Sequence, residues 1–261
     1  TGALDQYFQL PLIPMIETTR GCPFTCTFCA DGLAIKSKIN RYETQRTREE
    51  LQYIAKNINK VDELIVTDLN FGMYKQDMET AKEIANIQKN YNYPVSVDAP
   101  AGKNMPKRII NIASIMKGWS MGGVIQSSDP GVLKAIKRSN ISIDAYQDLI
   151  DFGNKQKANR TYTEIILGLP DDTKEKHFKS LRLGVEKNVN NLRMHQAMLL
   201  IGTEMASKKD REKYGLITKF RTLPGNVGNY NILNKEHPIA EVEEIVIGSN
   251  TLSVDDYIEC R

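Results

Sequence analysis

Three of the four cysteines in this 261-residue chain fall in one short stretch, TTRGCPFTCTFCADG, at residues 18–32. No other feature constrains the fold and its chemistry as strongly. Cys22, Cys26 and Cys29 follow the spacing C-x3-C-x2-C, with Gly21 and Pro23 letting a short loop wrap one centre. Thiolates are soft ligands suited to zinc or to iron–sulfur clusters, so a ligand role outweighs a reading as three inert core thiols. The stretch follows a β-branched run, IPMIET at 13–18, which places the cysteines in the first strand-to-helix loop. In βα barrels that is the face where chemistry gathers.

Ligand count separates the two metals. Structural zinc takes four closed ligands, commonly in two separated pairs. This sequence has no second pair: His177, His195 and His237 stand singly, and Cys260 sits next to the last residue, where we read it as a free thiol. A cubane held by three cysteines keeps one iron without a protein ligand, and an open position is what a catalytic metal needs.

Around the loop, short β-branched runs alternate with segments of helical period, the pattern of repeated βα units on a parallel sheet. The strand candidates are 13–18, 63–68, 94–98, 122–126, 163–168 and 192–200. Thr47 with Glu50 reads as a capping box ahead of Leu51, Ile54, Ala55 and Ile58. Asp77 can cap a second helix, Pro106 opens one that ends at Gly118, and Pro130 opens another through Ile136. Further helices are expected over 144–157 and 173–188. After about residue 202 the rhythm fades into a charged helical segment, a loop (TLPGNVGNYN) and a last helix opening at Pro238. The glycines of PGNVGN lack the strand-to-helix setting of a phosphate-binding fingerprint. The reading is therefore an α/β fold with a barrel-like unit over 1–205, its iron–sulfur loop at 21–30, and an extension over 206–261 packing on it.

Composition narrows the partners. Lysine and arginine number 35 against 32 acids, an excess of three that argues against an extended nucleic-acid footprint. No apolar run approaches the roughly 18 residues that span a bilayer. The chain has no signal peptide and too few cysteines for a disulfide scaffold, so a cytoplasmic, soluble protein is expected. It starts at Thr1 rather than methionine, which reads as a piece of something longer.

The cysteine loop, with Phe28 just before its last cysteine, resembles that of the radical S-adenosylmethionine enzymes. GGVIQSSDPGVLKAIKR resembles the fourth-strand segment of that superfamily, TEIILGLPDDT its fifth strand and turn, and HQAMLLIGTEM its sixth. The resemblance implies a partial (β/α)6 barrel resembling TIM barrels. It also implies a 4Fe-4S cluster whose open iron is chelated by S-adenosylmethionine, and reductive cleavage to a 5′-deoxyadenosyl radical. An electron donor such as flavodoxin or ferredoxin and a small-molecule substrate or biosynthetic intermediate follow from it.

Placed on that pattern, Phe28 packs on adenine, with a core aromatic as the competing reading. Gln126, Ser127 and Ser128 end the fourth strand at the ribose and carboxylate contacts, or form a turn before Pro130. Glu164 is a polar partner inside the barrel or an exposed strand residue, and Gly168 allows close backbone approach. Arg138 suits a carboxylate if its helix faces the lumen. The second strand ends in TDLNFG where many members carry a glycine-glycine-acid motif; the glycine pair is missing, leaving Asp68 and Asn70 as candidates for the amino group. His195 and Gln196 alternate, so only one points inward, and Gln196 is preferred. Glu17 is a lumen group or a surface residue.

The opening TGALDQYFQLPLIPMIETTRGCPFTCTFC and the tail from residue 228 resemble the subgroup that carries a cobalamin-binding domain ahead of the barrel. The cobalt-ligating D-x-H-x-x-G pattern surrounds none of the three histidines, so these residues do not themselves mark a cobalamin site, and cobalamin is expected through an upstream domain where one exists. Cobalamin-dependent methyl transfer or radical rearrangement is the expected chemistry. The alternative is an iron–sulfur electron-transfer or structural metal-binding module that does not cleave S-adenosylmethionine.

Overall fold

A computed structural model describes residues 2–156 and 161–261. The strands are β1 (Met15–Ile16), β2 (Thr19–Arg20), β3 (Asn40–Arg41), β4 (Glu63–Val66), β5 (Ser96–Asp98), β6 (Tyr162–Leu167), β7 (Asn191–Gln196), β8 (Ile217–Ile232) and β9 (Lys235–Gly248). The α-helices are α1 (Thr44–Asn57), α2 (Asp77–Tyr91), α3 (Pro106–Ile115), α4 (Pro130–Ala135), α5 (Ile143–Lys155), α6 (Lys174–Glu186), α7 (Lys208–Tyr214) and α8 (Val254–Cys260). The helix expected over 144–157 is α5; position 157 lies outside the described residues.

β1, β4 and β5 pair in parallel in that order, and β6 pairs in parallel with β7. Residues 119–126 join the two sheets through single parallel bridges, Val97 to Trp119, Gly122 to Tyr162 and Gln126 to Ile165. The result is an open arc of six parallel segments, a partial barrel that does not close among the described residues. The expected fourth strand is present as a connection without a regular ladder, and its glycines give the reason. A Cβ on Gly122 would lie 2.2 Å from the Tyr162 ring, and one on Gly123 would lie 2.3 Å from the Tyr146 ring, so both faces are filled by aromatics.

The helices cover the outer face. Leu51, Ile54 and Ala55 of α1, Ile84 and Ile87 of α2, and Ile109 and Ile112 of α3 pack on Leu64, Val66 and Val97. Trp119 is fully buried among them, donates its indole N–H to the Ala99 carbonyl at 2.9 Å and meets Phe71 edge-on at 5.4 Å. The outward set on β6 is Thr163, Ile165 and Leu167; the alternate residues Tyr162, Glu164 and Ile166 turn to the inner face.

Several helix starts follow the sequence. Pro106 and Pro130 stand in the first turns of α3 and α4, and Asp129 caps α4 by accepting the Val132 N–H at 3.0 Å. The capping box at Thr47 is not formed. α1 starts a turn earlier, because Gln45 and Arg46 extend the helix, Thr47 is buried in its face, and Glu50 pairs with Arg46 at 2.7 Å. Asp77 sits inside the first turn of α2, and its carboxylate accepts the backbone N–H groups of Gly72 and Tyr74 in the preceding loop.

The tail departs most from expectation. Instead of a loop and a helix from Pro238, β8 and β9 form a long antiparallel hairpin, turning at Leu233 and Asn234, both at positive φ. The β-branched residues Ile239, Val242, Ile245, Val246 and Ile247 favour a strand, which outweighs the helix signal of a single proline. Pro238 pairs opposite Asn229 in a two-stranded ribbon whose outer edges need no N–H from it. The base of β9 extends the arc beyond β7: the Val246 N–H donates to the Ala197 carbonyl and the Leu199 N–H to the Glu244 carbonyl. Among the described residues no helix is long and apolar enough to cross a membrane.

Candidate active site

The cysteine loop leaves β2 at Gly21, where φ is +106° and a Cβ would lie 2.3 Å from the Lys38 carbonyl oxygen. Only glycine fits that turn and that approach. At the far end a Cβ on Gly32 would lie 2.5 Å from the Cys26 carbonyl oxygen. Backbone bonds fix what lies between. Cys22 N–H donates to the Lys36 carbonyl, Thr27 N–H to the Ile136 carbonyl, and Met205 N–H to the Thr27 carbonyl, tying the loop to the end of α4 and to the segment between β7 and α7. Thr18, just upstream, donates its N–H and hydroxyl to the buried carboxylate of Asp68 at 2.7 and 2.6 Å. Burial raises the pKa of that carboxyl against those bonds.

All three thiols line one cleft of about 190 Å³ at the C-terminal ends of the inner strands. Cys22 and Cys26 are buried and Cys29 half-buried, and burial pushes the Cys29 thiol pKa up. Phe24, Phe28, Leu69, Pro100 and Val124 make the apolar part of the wall. Asn70, Lys103, Gln126, Arg138 and Glu164 make the polar part. An apolar wall with a few converging polar groups is the form of a small-molecule site.

Two cations stand close to the thiols, with Glu164 on the same wall and Asp31 beside Cys29. Lys103 Nζ lies 3.2 Å from Cys26 Sγ and 4.4 Å from the centre of the Phe24 ring. Arg138 is buried beside Cys26 and Cys29; burial lowers its pKa, and the two sulfurs oppose that shift. Its guanidinium donates to the Val124 carbonyl and, at 3.0 Å, to the Asn140 side chain. Asn70 Nδ2 reaches Cys22 Sγ at 3.5 Å. Two buried acceptors on the cleft, Asn70 Oδ1 and Gln126 Oε1, have no partner among the described residues, and Gln126 holds a left-handed φ of +61°. Three soft thiolates, cations to offset their charge, and unspent acceptors beside an apolar wall fit an iron–sulfur cluster with a polar small-molecule ligand. Among the described residues no three Cys, His, Asp or Glu groups converge on a single ion.

Of the residues singled out in the sequence, Phe28, Asn70, Gln126, Arg138 and Glu164 meet the cysteines on the cleft. Asp68 stands behind it, holding Thr18. Ser127 accepts the Asp129 N–H and Ser128 bonds to Ser180, so both serve the start of α4 and line no part of the cleft. Gly168 has φ +86° and approaches β9 at Val246 rather than the cleft. Gln196 corrects an expectation. Its register partner Leu167 faces the helices, and so does Gln196, bonding to Tyr257 and Arg221, while His195 turns to the inner face near Glu164. Glu17 is a surface group paired with Arg20 at 2.6 Å. Cys260 is buried in α8 against Leu167 and Tyr257, away from the cleft. Lys103 was missed: the run Pro-Ala-Gly-Lys just past the third strand was the available signal, a cation at a strand end facing thiols.

A family model described as the radical SAM superfamily matches residues 16–183. Among curated proteins, the chain is 31% identical over 259 residues to the cobalamin-dependent radical SAM methyltransferase TokK of Streptomyces tokunonensis. It is 30% identical over 260 residues to 2-(S-pantetheinyl)-carbapenam-3-carboxylate methyltransferase of Streptantibioticus cattleyicolor. These alignments cover 93% and 94% of the chain and 35% of each relative, so the chain spans about a third of their length. Among solved structures, the radical S-adenosylmethionine methyltransferase TsrM from Kitasatospora setae superposes with a TM-score of 0.64 at 14% identity, over 89% of this chain and 43% of that one. Coproporphyrinogen III oxidase from Escherichia coli gives 0.55 at 15% identity, over 80% and 50%. These likenesses carry the fold.

Proposed function

The chain belongs to the radical SAM superfamily, and from that premise we propose that Cys22, Cys26 and Cys29 hold a 4Fe-4S cluster in the cleft, beside bound S-adenosylmethionine. The observation that carries this reading is the convergence of three thiols from one loop with Lys103, Arg138 and two unpartnered acceptors on a single cleft. When bound and reduced, the cluster supplies the electron that cleaves the sulfonium to methionine and a 5′-deoxyadenosyl radical.

The protein's own part is positioning and exclusion. Lys103 and Arg138 offset thiolate charge that would otherwise repel within a dry site. Asn70 Oδ1 and Gln126 Oε1 accept from the cofactor's N–H or O–H groups, and Glu164 is a third acceptor on the same wall. Phe28, Leu69 and Val124 keep water from the reacting sulfur and offer an apolar slot for the adenine.

The complete enzyme transfers a methyl group to a small-molecule substrate with cobalamin as carrier. Support comes from TokK, named as cobalamin-dependent, and from TsrM, solved with cobalamin and a 4Fe-4S cluster bound. A flavodoxin- or ferredoxin-like protein is the reductant.

Full-length protein purified and reconstituted without oxygen, then given dithionite and S-adenosylmethionine, should yield methionine with 5′-deoxyadenosine, and a methylated product once methylcobalamin and substrate are added. An intact cluster with no turnover of the cofactor would instead mark an electron-transfer or structural module.

A further inference from the structure

With the cleft assigned to the cofactor, the inner face of β6 and β7 remains for the substrate, and what it displays is a guanidinium with its donors unspent. Arg193 and His195 project from β7 on the side opposite Leu192, Met194 and Gln196, which pack toward the helices. The register sets Arg193 level with Glu164 and His195 level with Ile166. Glu164 Oε1 lies 3.6 Å from Arg193 Nη1 and 3.9 Å from His195 Nε2, too long for hydrogen bonds. Most other arginines among the described residues spend their donors at short range, while Arg182, out on α6, does not. Arg48 and Arg211, for example, meet carboxylates at 2.8 and 2.6 Å. Arg193 makes no hydrogen bond among the described residues.

It is nevertheless held in place. The guanidinium lies 4.8 Å from the centre of the Tyr162 ring, and that ring is seated on Gly122, where no side chain fits. A planar cation fixed by a ring, half-exposed to the lumen, is preorganised to take a carboxylate through two parallel N–H bonds. Glu164 belongs both to this group and to the cofactor cleft, so an anion on Arg193 sits one side chain away from the cofactor. We infer that Arg193, with His195 beside it, is the recognition group for a carboxylate-bearing substrate. This deepens the proposed function and depends on it, since it takes the cleft as the cofactor's site.

The test is binding to full-length, cluster-loaded protein, without reductant and with saturating S-adenosylmethionine so that the cofactor's own carboxylate site is filled. Benzoate is the probe and benzamide its neutral counterpart, read by saturation-transfer NMR. Benzoate should bind and benzamide should give at least tenfold less transfer. Arg193→Gln should lose benzoate at least tenfold, Arg193→Lys should fall between, and Arg182→Gln, a change on α6, should bind normally. Iron content and circular dichroism of Arg193→Gln report its folding. Absence of benzoate binding to the unaltered protein, equal binding of benzamide, or undiminished binding to a folded Arg193→Gln would each overturn the inference. Cofactor cleavage measured separately on unaltered protein shows whether the proposed function has failed instead.

Discussion

Lys103 Nζ lies 3.2 Å from Cys26 Sγ, joining the loop after β5 to the cysteine loop 77 residues earlier in the chain. A cation there lowers the energy of every added negative charge on the sulfur-bound centre, so it favours the reduced cluster.

Lys103→Met should therefore leave iron loading nearly intact and shift the cluster's midpoint potential downward. A shift on the order of 50 mV corresponds to roughly 1.2 kcal/mol for one electron. An EPR-monitored redox titration reads it directly, and an unchanged potential would remove Lys103 from the account of the site.

Arg138 acts on the cofactor's side of the same cleft. Arg138→Ala removes donors from the Val124 carbonyl and Asn140 as well as a cation from beside Cys26. The expected result is at least a tenfold rise in KM for S-adenosylmethionine with cluster content retained. A KM within twofold of the unaltered protein would restrict Arg138 to a structural role.

A buried pair on the helix layer gives a pH signature. Asp172 Oδ2 and His177 Nδ1 are 3.8 Å apart, and burial pushes the Asp172 carboxyl up to about 7 and the His177 imidazole down to about 4. Between the unfolded carboxyl value near 4 and pH 7 the folded state holds more protons on Asp172 than the unfolded state does, so this group's contribution weakens as pH rises. His177 has the opposite sign between about 4 and 6.5, its contribution being lost as pH falls. The two slopes oppose one another over most of that window. Asp172→Asn should unmask the histidine, so that denaturation midpoints of the variant fall from pH 6.5 to 4 more steeply than those of the unaltered protein. Parallel pH profiles would contradict the assignment.

The irregular fourth segment is a packing consequence. Gly122→Ala drives a methyl into the Tyr162 ring, and overpacking of this kind costs about 1–3 kcal/mol. Urea midpoints should fall accordingly, with partial recovery in the double variant carrying Tyr162→Leu. No loss would mean the ring moves aside freely, and Arg193 would then lose its fixed platform.

The barrel-like part and its cysteine loop were legible in the sequence because strand runs such as TEIILG and helix stripes such as Leu51, Ile54 and Ala55 carry strong periodicity. Thiol spacing is also local information. What failed was decided elsewhere in the fold. Gln196 could be placed inside or outside only by its register with Leu167, and Ser127 and Ser128 were claimed by the start of α4. Lys103 meets Cys26 across 77 residues, a contact no local pattern reports. The hairpin was hidden by Pro238, whose missing N–H matters little in a two-stranded ribbon.

The central claim is that three cysteines hold a cluster whose remaining iron is open to S-adenosylmethionine. EPR of the reduced, reconstituted full-length protein, recorded with and without S-adenosylmethionine, tests it most directly. A 4Fe-4S signal whose g-values shift on addition, together with loss of that signal in Cys26→Ala, is the expected result. A spectrum that S-adenosylmethionine leaves unchanged, or a full cluster in Cys26→Ala, would contradict it.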